Sequence, residues 1–114
     1  MNTSNTLKAN KISKELLKGS LEILVLSIVK AVPLYGYLIA KELKGQSHEV
    51  FNLGEGTLYP LLHKLEDAGW LESWWKEAEG RRRKYYALTP KGRKFLATKA
   101  AEWQTFSQAV KRVI

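Results

Sequence analysis

Apolar residues return at helical spacing between Ser13 and Ala31, with Leu17, Leu21, Leu24 and Ile28 four, three and four residues apart. Leu16, Ile23, Leu26 and Val29 fill much of the remaining surface, so the expected helix is apolar nearly all round and must be covered on two sides. Two readings stay open: a central core helix, or a helix shared with a partner subunit. Pro33 ends the segment. A shorter helix is expected from about Gly36, with Leu38, Ile39 and Leu43 on its buried side. A loop follows, in which Val50 to Leu53 has the composition of a short strand.

The third helix carries Leu58, Leu61, Leu62 and Leu65 inward and closes at Gly69, a residue suited to a left-handed cap. Pro60 is tolerated only in a first turn, which puts the start near Glu55 to Thr57. The period then changes to two. Leu71, Ser73 and Trp75 share one face of a strand, and Lys84, Tyr86 and Leu88 share one face of the next, predicting a β-hairpin with its tip at Glu79 to Arg82. Tyr86 should pack under that hairpin, with Tyr85 on the opposite face; Trp70, Trp74 and Trp75 are expected as packing residues. Thr89 and Pro90 form a helix start, cap then first position. The last helix runs from there to the C-terminus. At about 25 residues and ~1.5 Å each it is a rod of roughly 37 Å. Leu96, Ala100, Trp103, Phe106, Val110 and Val113 run along one side of it, a stripe that a lone domain of this size would leave in water. A two-fold pair of chains covers such a stripe.

Charge changes the picture from fold to partner. Among 114 residues, 19 are lysine or arginine and 11 aspartate or glutamate, a formal net charge of +8 that favours a polyanion such as nucleic acid. Seven of the cations, against one acid, fall in the sixteen residues from Glu79 to Lys94. There is no cysteine, which removes disulfides and thiolate chemistry and fits a reducing cytoplasm. The N-terminus "MNTSNTLKANK" lacks the apolar core of a secretion signal. The run Leu21 to Val29 is interrupted by Glu22 and Ser27 and falls short of the ~20 residues of a membrane span. The expectation is a soluble cytoplasmic protein with no membrane partner. His48 and His63 are the only histidines and have no companions for a metal or a catalytic set, and Glu66-Asp67 reads as an exposed helix end. No enzyme activity, metal or cofactor is expected.

Three stretches, "LYGYLIAKEL", "LGEGTLYPLLHKLEDAGWLES" and "EGRRRKYYALTPKGRKF", resemble the PadR family of bacterial transcriptional regulators, in its short members with one C-terminal helix. The likeness spans roughly residues 12 to 114, with the third-helix pattern at Gly56 to Gly69 and the wing pattern at Arg83 to Gly92. It implies a winged helix-turn-helix fold, mainly α with a small β-hairpin. Residues 1–10 would be a flexible polar lead-in, 11–88 the DNA-binding domain and 89–114 a dimerisation helix. It also implies homodimers joined through first and last helices, here Leu17, Leu21, Leu96, Ala100, Trp103, Phe106 and Val110. Repression at a promoter, relieved by a small molecule or a stress signal, would follow.

The side chains fit that expectation. The start of such a third helix approaches base edges in the major groove. Thr57 can bond a base or a phosphate there, and Lys64 can neutralise a phosphate. Tyr59 has two readings, a phosphate hydrogen bond or packing. Glu55 is better read as a cap than as a base contact. Arg81, Arg82, Arg83 and Lys84 at the hairpin reach phosphates or the minor groove. Trp103 is either interface core or one wall of a slot for a planar aromatic or cationic effector, as in multidrug-sensing members the chain resembles. The competing reading of the charge is an architectural protein that coats DNA without a preferred site.

Overall fold

A computed structural model describes residues 12–114, and the lead-in expected over residues 1–10 lies outside them. Among the described residues the order is α1 (Lys14–Leu17), α2 (Leu21–Ile28), β1 (Leu34–Tyr35), α3 (Gly36–Gln46), α4 (Glu55–Asp67), β2 (Leu71–Ala78), β3 (Arg81–Leu88) and α5 (Pro90–Val113). This is the winged helix fold, with a small antiparallel sheet ordered β1-β3-β2 and a long last helix.

The single helix expected from Ser13 to Ala31 is two. Gly19 sits at φ +87°, a left-handed position that ends α1 and lets the chain restart at Leu21. The restart sets which face of α2 enters the core. Val25, Leu26 and Val29 are buried, whereas Leu17, Leu21, Leu24 and Ile28 are only half-buried. The second correction concerns the strand expected at Val50 to Leu53. His48 and Glu49 take left-handed φ values of 53° and 68°, and the residues after them form an irregular loop. The third strand is instead Leu34–Tyr35, pairing Leu34 with Tyr86 and Tyr35 with Tyr85.

The core joins α2 to Ile39, to Leu58, Leu62 and Leu65 of α4, and to Leu71, Tyr86 and Leu88 at the root of the hairpin. The hairpin register sets Leu71 opposite Leu88, Ser73 opposite Tyr86 and Trp75 opposite Lys84, the face that the alternation predicts. Its tip is tighter than expected: only Glu79 and Gly80 lie outside the strands, at φ 54° and 75°. Two positive φ values in a two-residue loop are what the right-handed twist of the strands requires.

One junction fixes the last helix to this body. Gly69, at φ +82°, donates to the Glu66 carbonyl while the Trp70 N–H reaches the Leu65 carbonyl, so α4 ends in a Schellman motif. The Thr89 hydroxyl donates to the Gly69 carbonyl at 2.6 Å and accepts from the Gly92 N–H at 2.9 Å, capping α5. The Thr89 N–H also bonds the Trp70 carbonyl at 3.1 Å. Gly92 lies so close against that carbonyl that a Cβ would overlap it. Trp70 closes the junction by stacking on Phe95, with ring centroids 3.6 Å apart.

Gly92→Ala should therefore lower unfolding free energy by about 2–3 kcal/mol despite the better helix propensity of alanine. Thr89→Val, which keeps the shape and loses both hydroxyl bonds, should cost about 1–2 kcal/mol. Urea denaturation followed by circular dichroism measures both, and wild-type stability for Gly92→Ala would contradict the close approach.

Candidate nucleic-acid interface

Glycine Gly54 precedes α4 as its N-cap and offers no side chain, so the Glu55 carboxylate is not the cap expected of it; Glu55 is the first helical residue and is exposed. Its charge still suits a helix N-terminus. Thr57 follows, exposed in the same first turn. Tyr59 packs, and its packing leaves the ring exposed. Its ring lies against Gly36 at the start of α3, where a Cβ would come within 2.8 Å of the ring edge and hydroxyl, and 38% of the residue stays exposed. Packing thus holds the ring while leaving it accessible.

The cations divide. Arg81 and Arg82 are exposed at the end of the hairpin. Arg82 lies over the Trp75 ring, 5.0 Å from its centroid. Arg83 points to the opposite face and covers Tyr35, with its guanidinium 4.4 Å from the ring centroid and its Nε buried without a hydrogen-bond partner. Tyr35 also meets Tyr85 edge-on at 5.4 Å and donates to the Glu79 carboxylate at 3.4 Å. Burial pushes the Tyr35 hydroxyl above its ordinary value; the nearby Arg83 guanidinium pulls the other way and Glu79 adds to the rise. Lys84 points inward, 3.8 Å from a Glu66 carboxylate oxygen and 5.8 Å from the Tyr86 ring centroid. Glu66 also accepts from the Ser73 hydroxyl, so it is not the idle helix end the sequence suggests. Burial raises Tyr86 as well, with Glu66 and Tyr59 adding to it, and the group stays protonated at neutral pH.

Lys64, expected to meet a phosphate, lies outside that hairpin cluster and is paired within the fold. Its ammonium lies 2.9 Å from a Glu22 carboxylate oxygen and ties α4 to α2. Tyr59, Arg82, Arg83 and Lys84, by contrast, line one cleft of about 370 Å³ between the hairpin and the starts of α3 and α4, together with Tyr37, His63 and Trp75. Trp75 is the residue that sequence reasoning placed wrongly. It is 56% exposed rather than packed, while Trp74, 39% exposed, stacks on Tyr85 with ring centroids 6.5 Å apart. Alternation puts Trp75 on the face of Lys84 and Tyr86 and so gives no sign of its exposure.

A second feature is a groove between the first helices and α5. Leu16, Leu17 and Leu24 face Ala100, Trp103 and Phe106 of α5 across an apolar groove of about 400 Å³. Phe51 from the α3–α4 loop supplies one wall and was not anticipated. Leu21 is half-buried in α2, and Val110 is half-buried further along α5. Leu96, expected on the same stripe, is 4% exposed inside the chain's own core and is closed to a partner. Among the described residues no cluster of acidic or histidine side chains can hold a metal, and no helix is long and apolar enough to cross a membrane.

Residues 25–98 match the transcriptional regulator PadR-like family. A transcriptional regulator from Clostridium thermocellum is 31% identical with a TM-score of 0.80, over 89% of this chain and 96% of that one. A PadR family transcriptional regulator from Eggerthella lenta is 35% identical with a TM-score of 0.75, over 87% of this chain and 85% of that one. A Mycobacterium tuberculosis transcriptional regulator, Rv3488, is 41% identical over 59 residues, which is 52% of each chain.

If Arg83 works for the fold and Arg81 does not, Arg83→Ala should cost about 1 kcal/mol of unfolding free energy and Arg81→Ala less than about 0.5. Equal losses in a urea titration would show that the stack on Tyr35 holds nothing.

Proposed function

Since this chain belongs to the PadR-like family of transcriptional regulators, and so is a DNA-binding regulator rather than an enzyme, we propose that it acts in the cytoplasm as a homodimeric repressor at an inverted-repeat operator. The start of α4, with Thr57 and Tyr59, enters the major groove, and Arg81 and Arg82 take the flanking backbone. Lys84 adds charge from within the cleft. Half-sites about one helical turn apart, ~34 Å, face the two subunits.

The observation that carries the dimer is the exposure of α5. Trp103, Phe106 and Val113 are 45%, 63% and 85% exposed on a helix of 24 residues, and Leu16 of α1 is 69% exposed beside the same groove. A second copy laid on this face buries them. The same groove supports the effector reading: Trp103 offers an aromatic wall above an apolar floor, suited to a planar aromatic or cationic compound. Its binding rotates the two reading heads away from operator spacing and relieves repression.

Affinity for duplex from the protein's own upstream region, compared with random duplex over a salt series, tests the reading. A repressor should prefer its own site about a thousandfold or more, and near-equal curves would indicate an architectural coater. Replacing Arg81 and Arg82 together with alanine should lower the slope of log affinity against log salt by about 1.8, at ~0.9 per phosphate contact. A slope unchanged from wild type would remove the hairpin end from the phosphates. Planar aromatic cations should quench tryptophan emission in wild type and far less in a Trp103→Ala variant that sediments as a dimer; equal quenching would discard the slot.

A further inference from the structure

Trp75 is out of place as a packing residue. Strand alternation puts it on the inner face of the hairpin, with Leu71, Tyr86 and Leu88, which are 2%, 2% and 7% exposed. Beyond Ser73 that face borders an open cleft, and the indole is 56% exposed. Leaving so large an apolar side chain half in water forgoes roughly 1.5–3 kcal/mol of burial. Its one aromatic–cation partner among the described residues is Arg82, at 5.0 Å.

The cleft it borders has a distinct chemistry. Tyr59 and His63 lie on the α4 side, Arg82 and Lys84 on the hairpin side, and every lining residue is neutral or basic. Tyr37 stands among them, 62% exposed. Aromatic faces beside cations, with no lining carboxylate, fit a strand that alternates apolar sugar with anionic phosphate. A guanidinium stacked on an indole also has its plane set in advance, so less side-chain freedom is lost when its edge meets an anion.

We propose that Trp75 is a further DNA-contacting residue: its indole packs against a deoxyribose of the backbone strand that crosses this cleft, and it holds Arg82 edge-on to the adjoining phosphate. This rests on the DNA-regulator reading above. The contact is independent of base sequence, so it positions the duplex and leaves sequence reading to the start of α4.

The experiment uses the full chain, its own upstream duplex carrying a fluorophore, and the variants Trp75→Phe and Trp75→Ala. Trp75→Ala should bind about tenfold more weakly across the salt series, while Trp75→Phe, which keeps an aromatic face, stays within about threefold of wild type. Acrylamide quenching supplies a readout that a purely structural indole would not move. Duplex should shield part of the tryptophan emission in wild type and lose most of that shielding in Trp75→Phe. Equal shielding in both proteins overturns the proposal, as does wild-type affinity in a Trp75→Ala variant that melts as wild type does. If Trp75→Ala fails to fold, the Trp75→Phe shielding decides alone. Wild-type protein that binds no duplex overturns the regulator reading and this contact together; wild-type binding with indifferent variants overturns the contact only.

Discussion

The geometry of this protein depends on the Thr89 hydroxyl. It donates to the Gly69 carbonyl just beyond α4 and accepts from the Gly92 amide in the first turn of α5, so one oxygen atom fixes α4 to the long rod. The Thr89 amide binds the strand-entry carbonyl of Trp70, and Gly92 presses against that same carbonyl with no room for a side chain. Three elements therefore meet at backbone distance: the end of α4, the root of the hairpin and the start of α5. A tilt of the rod must move the helix and the hairpin with it. That coupling is the route by which the proposed effector event at the groove around Trp103 would reach the proposed DNA-reading surface.

The hairpin is held by some of the charges that make it basic. Arg83 is spent on Tyr35 and Lys84 on Glu66 and Tyr86, while Lys64 is paired with Glu22 on the far side of α4. Arg81 and Arg82 remain exposed at the hairpin end. Exposed ion pairs contribute little to stability, about 0–1 kcal/mol, so Lys64 and Lys84 position their elements more than they stabilise them. The cation–aromatic stack of Arg83 is different because its Nε is buried. A run of four cations is thus two working parts: an inner pair that stiffens the hairpin and an outer pair free to meet an anion.

Most of the architecture was legible in the sequence because it follows from local rules. The change of period at Leu71, the cap and proline at Thr89-Pro90 and the glycine after α4 each dictate one backbone conformation. What failed was non-local or depended on one residue. Gly19 in a helical pattern gives no sign that it will turn left-handed, yet it splits the first helix and moves the core face to Val25, Leu26 and Val29. The two-residue strand β1 is too short to have a period and exists because β3 offers it an edge. Among the candidate site residues, the exposure of Tyr59, Arg81 and Arg82 was readable from their place in the pattern. Leu96 was not, because helical spacing cannot tell a protomer's own core from a partner's surface near the base of a rod. Trp75 was misjudged because alternation assigns a residue to a face and does not say whether another element covers it there.

The central claim is that a rigid junction, repeated by two-fold pairing along α5, holds two hairpins at one fixed separation. The chain has no cysteine, so a spin label at Glu72→Cys on the exposed outer face of β2 marks a single site. Pulsed dipolar spectroscopy then reads the distance between the two copies. The account predicts one narrow distance distribution at working concentration. An absent intermolecular signal, or a broad distribution spanning tens of ångströms, would contradict it.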